Sequence, residues 1–311
     1  MGCEREQSPL DLVGSLEAKL VELPFPRGLK KRKRACFPAR ARWNFLRSIL
    51  SAPLANLGRS PRQQFELSIG CVSLRLEMTD AQLFGAASAR YAAFAGAAAA
   101  QPVTIALNEG AAPEGPPADF DYEFEGAALR VFSSGIRFDG VRHQYALDSL
   151  LRVLLTWQLL GHHGFLLHAA TVIRNGKAYL FTGRSGAGKS AVASLSPEGS
   201  VLTDEISLLR RENGVWRAYG TPFWGEFRAA GSNTSAPVAG IFRLLQAAEN
   251  RLEALRPMAI LRALLPNVLF FSAEAEANRR LLEILSQAAT EISGYNLAFR
   301  KNSAFWEVLP A

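Results

Sequence analysis

One octapeptide constrains this chain more than any other feature: Gly183-Arg184-Ser185-Gly186-Ala187-Gly188-Lys189-Ser190, which satisfies the pattern G-x-x-x-x-G-K-[S/T]. It directly follows the apolar run Ala178 to Phe181, and the pattern carries its chemistry only where a strand feeds it and a helix leaves it. Glycines at 183, 186 and 188 let the backbone fold into a nest whose N–H groups face phosphate. Lys189 adds positive charge at the β- and γ-phosphates, and Ser190 offers a hydroxyl to Mg²⁺. The octapeptide therefore predicts a loop that binds a nucleotide with Mg²⁺ through residues Gly183 to Ser190, with Lys189 as an exposed charge aimed at phosphate. The bland reading is a glycine-rich turn.

The pattern around the loop divides the chain. Residues 1–60 form a basic, irregular extension with a short helix expected over Leu10 to Val21. Residues 61–142 read as mostly β. Apolar residues fall at nearly every second position from Phe65 to Met78, with a slip near Gly70, and alternation resumes from Phe120 to Phe138 with turns at Gly126 and Gly135. Between them, Ala86 to Ala100 is an alanine-rich tract open to helix or loop, and Glu109 to Pro117 reads as a linker. Residues 143–311 form the part that carries the loop. There Leu147, Leu150, Leu151, Leu154 and Leu155 share one face of a helix ending by Gly161. Asn175-Gly176 and Asn213-Gly214 each sit between strand-like runs, as tight hairpin turns do. Helices are expected near Ile241 to Leu255, Met258 to Leu265 and Ala273 to Ala288, and a last strand near Tyr295 to Phe299.

Composition excludes several classes. Among 311 residues, 49% are apolar and 20% charged, which rules out a disordered or collagen-like bulk. Three cysteines cannot make a disulfide framework and suit a reducing cytoplasm. The closest approach to a membrane span, Val153 to Ile173, contains Gln158, His162, His163 and His168, so it reads as helix end, turn and strand. The first residues offer neither the apolar run of a signal peptide nor a myristoylation motif. Nine basic residues and no acidic one lie between Arg27 and Arg47, against a net charge of +7 for the whole chain. The case for nucleic acid rests on charge alone, so it ranks last among partners. The run's plain reading is a solvated basic loop.

What flanks the loop is more specific than the loop alone. His168 precedes it in Leu166-Leu167-His168-Ala169-Ala170, and Leu202-Thr203-Asp204-Glu205 follows it inside strand-like apolar sequence, where an unpaired carboxylate is costly. This arrangement resembles the catalytic domain of HPr kinase/phosphorylase and its relatives, from about Phe165 to Leu209 and more faintly to the C-terminus. The resemblance implies an α/β (α+β) fold with the mixed sheet of phosphoenolpyruvate carboxykinase around a P-loop, preceded by a mostly β region. It makes Lys189 and Ser190 the phosphate and Mg²⁺ ligands, and places the pair Asp204 and Glu205 beside Mg-ATP. It further makes Asp204 the base that takes the acceptor hydroxyl's proton, and His168 a partner on the metal side. Phosphoryl transfer is mostly positioning and charge neutralisation, and a carboxylate near the γ-phosphate serves both ends.

The sequence departs from that family at Ala191, at the Asp-Glu rather than Asp-Asp pair, and at Gly225-Glu226-Phe227-Arg228-Ala229, where a glycine is replaced. The last departure weakens the case for the dephosphorylating activity linked to that element and leaves it open. The first half is similar instead to divergent HPr-kinase-related proteins, some of which phosphorylate a serine of a small peptide. The resulting expectation is a cytoplasmic kinase that passes the γ-phosphate of Mg-ATP to a serine of a protein or peptide, alone or as an oligomer. The alternative is a nucleotide-binding regulator or weak NTPase that transfers nothing to a partner. Trp224 is read as packing, and His162 and His163 as structural.

Overall fold

The computed structural model describes residues 29–30, 62–96, 102–108, 120–124, 126–132, 135–197, 199–224, 231–272 and 274–310. The expected helix at Leu10 to Val21, the basic run apart from residues 29–30, the linker at Glu109 to Pro117 and the segment around Arg228 lie outside them. The fold is mixed α/β: two sheets and a few helices.

The first sheet gathers β1 (Leu29–Lys30), β2 (Gln63–Ile69), β3 (Val72–Met78), β4 (Val103–Asn108), β5 (Phe120–Phe124), β6 (Ala127–Phe132) and β7 (Gly135–Asp139) in the order β1-β5-β6-β7-β4-β3-β2. The alternation from Phe65 to Met78 resolves into the hairpin β2–β3, whose turn places Gly70 at φ +58°. Helix α1 (Ala81–Arg90) follows, with the Asp80 carboxylate accepting from the Leu83 N–H at its start. It takes up only the front of the alanine-rich tract.

Helix α2 (Gln144–Gly161) is buried along most of its length. Its leucines at 147, 150, 151, 154 and 155 enter one core with Leu74, Leu76, Leu129, Val131 and Ile136 of the first sheet and with Leu166, Ile206, Leu208 and Phe223 from the second half of the chain. Burying a leucine side chain contributes about 1.5–3 kcal/mol, so this single face outweighs any propensity term in fixing the helix.

The second sheet has nine strands: β8 (Gly164–Arg174), β9 (Lys177–Thr182), β10 (Val201–Thr203), β11 (Ile206–Glu212), β12 (Val215–Tyr219), β13 (Ser235–Gln246), β14 (Arg251–Leu255), β15 (Val268–Leu269) and β16 (Gly294–Phe299). It is mixed: β13 runs parallel to β9 and β16, whereas β8 pairs antiparallel with β9, β10, β11 and β15. Asn175 and Gly176 (φ +51° and +73°) turn β8 into β9, and Asn213 and Gly214 (φ +48° and +84°) turn β11 into β12, as the two Asn-Gly pairs predict. Helices α3 (Lys189–Ser194), α4 (Pro257–Leu264) and α5 (Ala275–Glu291) complete the fold.

One expectation fails. The stretch Ile241 to Leu255 is strand, not helix: it forms most of β13, a turn and β14. Its Leu, Ala and Glu favour helix, but Ile241 to Gln246 is hydrogen-bonded in a central strand between β9 and β16, and that pairing overrides local preference. Among the described residues no helix is long and apolar enough to cross a membrane.

Candidate functional site

The glycine-rich loop joins β9 to α3, and an aromatic layer supports it from below. Phe181 at the end of β9 stacks on Phe242 at 5.4 Å between ring centroids and meets Phe305 edge-on at 5.7 Å, while Phe299 meets Phe305 at 5.3 Å. Gly188 has φ +116°, and a Cβ there would lie 2.9 Å from Cε1 of Phe299, so both conformation and space demand glycine. Gln246 on β13 donates to the Gly186 carbonyl at 2.7 Å and ties the loop to the sheet. Arg184, Ser185 and Gly186 are exposed at the crest, and Ser190 is half-buried in α3.

Lys189 does not extend into solvent as its motif predicts. It is 8% exposed, and its ammonium donates to the carbonyls of Gly183 at 2.9 Å and Arg184 at 3.4 Å. Desolvation lowers its pKa, and Glu205 opposes that shift. The carbonyls of the tight turn are its hydrogen-bond acceptors.

Asp204 and Glu205 occupy the turn between β10 and β11, and that turn is firmly held. The Ile206 carbonyl accepts from the hydroxyls of Thr203 at 3.1 Å and Thr221 at 2.6 Å, and the Glu205 carbonyl accepts from the Ala169 N–H at 2.9 Å. Asp204 is buried at 7% exposure, and Glu205 is half-buried.

His168 lies opposite Ile206 at the point where β8 changes partners, from β11 along residues 164–168 to β9 along residues 169–174. Burial is the main reason its pKa falls to about 4, and the positive charges of Lys189 and Arg152 push the same way. The imidazole is therefore neutral at pH 7. Glu205 moves upward, chiefly through desolvation; Arg152 opposes this, Asp204 adds to it, Lys189 opposes it and Asp148 adds to it. The fold thus gathers Lys189, His168, Asp204 and Glu205, separated in sequence by up to 37 positions, into one electrostatic cluster beside the loop.

Because His168 binds its proton less tightly folded than unfolded, its contribution to stability is intact above about pH 6.5 and is lost as pH falls toward about 4. Urea titrations across that window are expected to show a shallower pH dependence for His168→Gln than for the wild type. Equal slopes would place the imidazole in contact with solvent.

Arg152 and Asp148 join the cluster without having been singled out by their sequence. They are the only charged residues in Gln144 to Gly161, four positions apart and so on one face of α2. Two charges in an otherwise uncharged buried helix are the signal that could have found them. Asp148 accepts from Arg90 Nε at 2.8 Å and from the Tyr91 hydroxyl at 2.6 Å, with a second Arg90–Asp148 bond alongside. Arg90 also lies 3.9 Å from the Trp224 ring centroid, which gives Trp224 its packing role. Exposed His163 contacts Arg280, away from the loop.

Among the described residues no cluster of three or more His, Cys, Asp or Glu could hold a metal ion. The donors near the loop are instead the Ser190 hydroxyl and the carboxylates of Asp204 and Glu205. Such hard oxygens suit Mg²⁺, which takes one or two carboxylates and completes its shell with water and phosphate. The site fits a cation that arrives with phosphate.

Fold and site define a mixed α/β protein whose glycine-rich loop faces a His-Asp-Glu cluster. Residues 147–309, more than half of the chain, match the family described as SynChlorMet cassette protein ScmC, and the chain belongs to that family. No curated protein matches it. Among solved structures, the Hpr(Ser) kinase/phosphatase from Coxiella burnetii aligns over 39% of this chain and 87% of its own, at 13% identity and a TM-score of 0.24.

Proposed function

We propose that the chain is a kinase that binds Mg-ATP at Gly183 to Ser190 and passes the γ-phosphate to a serine hydroxyl of a protein or peptide. The observation that carries this reading is the placement of Asp204 and Glu205 on a turn held by three hydrogen bonds, with Glu205 within electrostatic reach of Lys189 and the following residue, Ile206, paired with His168.

Each residue has a role in that reading. The loop backbone and Lys189 neutralise the phosphates, the ammonium exchanging the Gly183 and Arg184 carbonyls for phosphate oxygens. Mg²⁺ supplies charge neutralisation between phosphates when bound, with the Ser190 hydroxyl and the acidic pair as its protein ligands. Asp204 accepts the proton of the serine hydroxyl as the oxygen attacks phosphorus. Neutral His168 bears on the same cluster without adding positive charge.

The experiment incubates the protein with γ-labelled ATP and seryl peptides, and measures ATP affinity by calorimetry. Transfer to serine is the expected result. ATP binding with only slow hydrolysis, and label on no peptide or protein, would instead make the chain a regulator.

Lys189→Met is expected to weaken ATP binding by at least about tenfold, since a charge-assisted contact to phosphate is worth roughly 1.5–3 kcal/mol. Unchanged affinity in a folded variant would remove residues 183–190 from nucleotide binding. Because the ammonium also satisfies two loop carbonyls, the variant should melt slightly below the wild type.

A further inference from the structure

We propose that Arg152, on α2, is a positioning residue that holds the Glu205 carboxylate toward the cation carried by the nucleotide. This rests on the reading of Gly183 to Ser190 as the nucleotide loop.

The geometry is specific. Arg152 Nη2 lies 3.8 Å from Glu205 Oε2, and the guanidinium carbon sits 5.0 Å from the Phe223 ring centroid. The stem is thus pinned between a buried helix and an aromatic ring that comes from a different part of the chain. At 3.8 Å the contact is an ion pair and not a hydrogen bond, so it steers the carboxylate without occupying its lone pairs. The Nε atom is buried and has no hydrogen-bond partner, and the guanidinium forms an ion pair with Glu205.

Asp148, one turn away on the same helix face, cannot compete for Arg152 in the same way. Its two oxygens are already engaged by Arg90 and Tyr91. Glu205 is therefore left as the carboxylate that Arg152 can hold, across the 3.8 Å contact. The residue behind a ligand that fixes its charge and direction commonly contributes 10- to 100-fold to metal affinity or activity.

The test is a double-mutant cycle read by calorimetry of ATP with and without Mg²⁺, and by the Mg²⁺ concentration that gives half-maximal transfer. Arg152→Gln is expected to reduce the Mg²⁺-dependent gain in ATP affinity by about tenfold and to leave ATP affinity without Mg²⁺ unchanged. Arg152→Lys should recover most of the loss, and in a Glu205→Gln background Arg152→Gln should have no further effect. If Arg152→Gln does not fold, Arg152→Met, which keeps the stem on Phe223, enters the cycle in its place. Equal effects in both backgrounds, no effect at all, or weaker ATP binding without Mg²⁺ would each overturn the assignment. A wild type that shows no Mg²⁺-dependent ATP affinity would overturn the nucleotide reading itself, and this inference with it.

Discussion

Asp204→Asn is expected to bind Mg-ATP within a modest factor of the wild type and to transfer phosphate about 10²- to 10⁴-fold more slowly, the usual contribution of a positioned proton acceptor. The substitution conserves shape on a turn held by Thr203, Thr221 and Ala169, so the fold should survive. A carboxylate at 7% exposure faces little competing water, which makes its loss as a base hard to replace. If Asp204 serves mainly as a cation ligand, the variant should instead lose Mg-ATP affinity and regain part of its rate as Mg²⁺ is raised. A regulator without transfer chemistry would show neither pattern, and wild-type transfer by the variant would remove Asp204 from the mechanism.

The second large effect concerns stability. Asp148→Ala should cost about 3–5 kcal/mol, because it leaves the Arg90 guanidinium, 2% exposed at its side chain, without a counter-charge. The Tyr91 hydroxyl, fully buried and held well above its ordinary pKa by desolvation and by Asp148, loses its acceptor as well. Urea denaturation should show the loss, and the melting temperature should fall by about 5–15 °C. Replacing Arg90 and Asp148 together by Met and Leu should recover much of it, since removing both charges spares the desolvation that one alone must bear. A single variant within about 1 kcal/mol of the wild type would mean that water reaches Arg90.

The parts of this fold that were legible in the sequence are those governed by local rules. Asn175-Gly176 and Asn213-Gly214 name their turns because few residue pairs tolerate two consecutive positive φ values. The five leucines of α2 name its buried face because one period fits them all. Expectation and structure part where the deciding partner lies far away in the chain. Residues 241–246 become a strand because β9 and β16 are waiting on either side, and nothing within the segment says so. Lys189 was legible as a motif residue, but not its burial, which depends on loop carbonyls that only the folded turn brings within reach. The contact between Arg152 and Glu205 spans 53 positions and joins a helix to a turn, so no spacing rule could have suggested it.

The core shared by the first sheet, α2 and the strands after it sets an order of events during synthesis. Strands β2 to β7 leave the ribosome before the residues that complete their cover: α2 is next, and Ile206, Leu208 and Phe223 come later still. At 5–20 residues per second, the roughly 80 residues from the end of β7 to Phe223 take about 4–16 s to appear. For most of those seconds the sheet has α2 as cover, while its core neighbours Ile206, Leu208 and Phe223 are still to come. Soluble yield should therefore respond to translation speed more strongly than the stability of the finished protein would suggest.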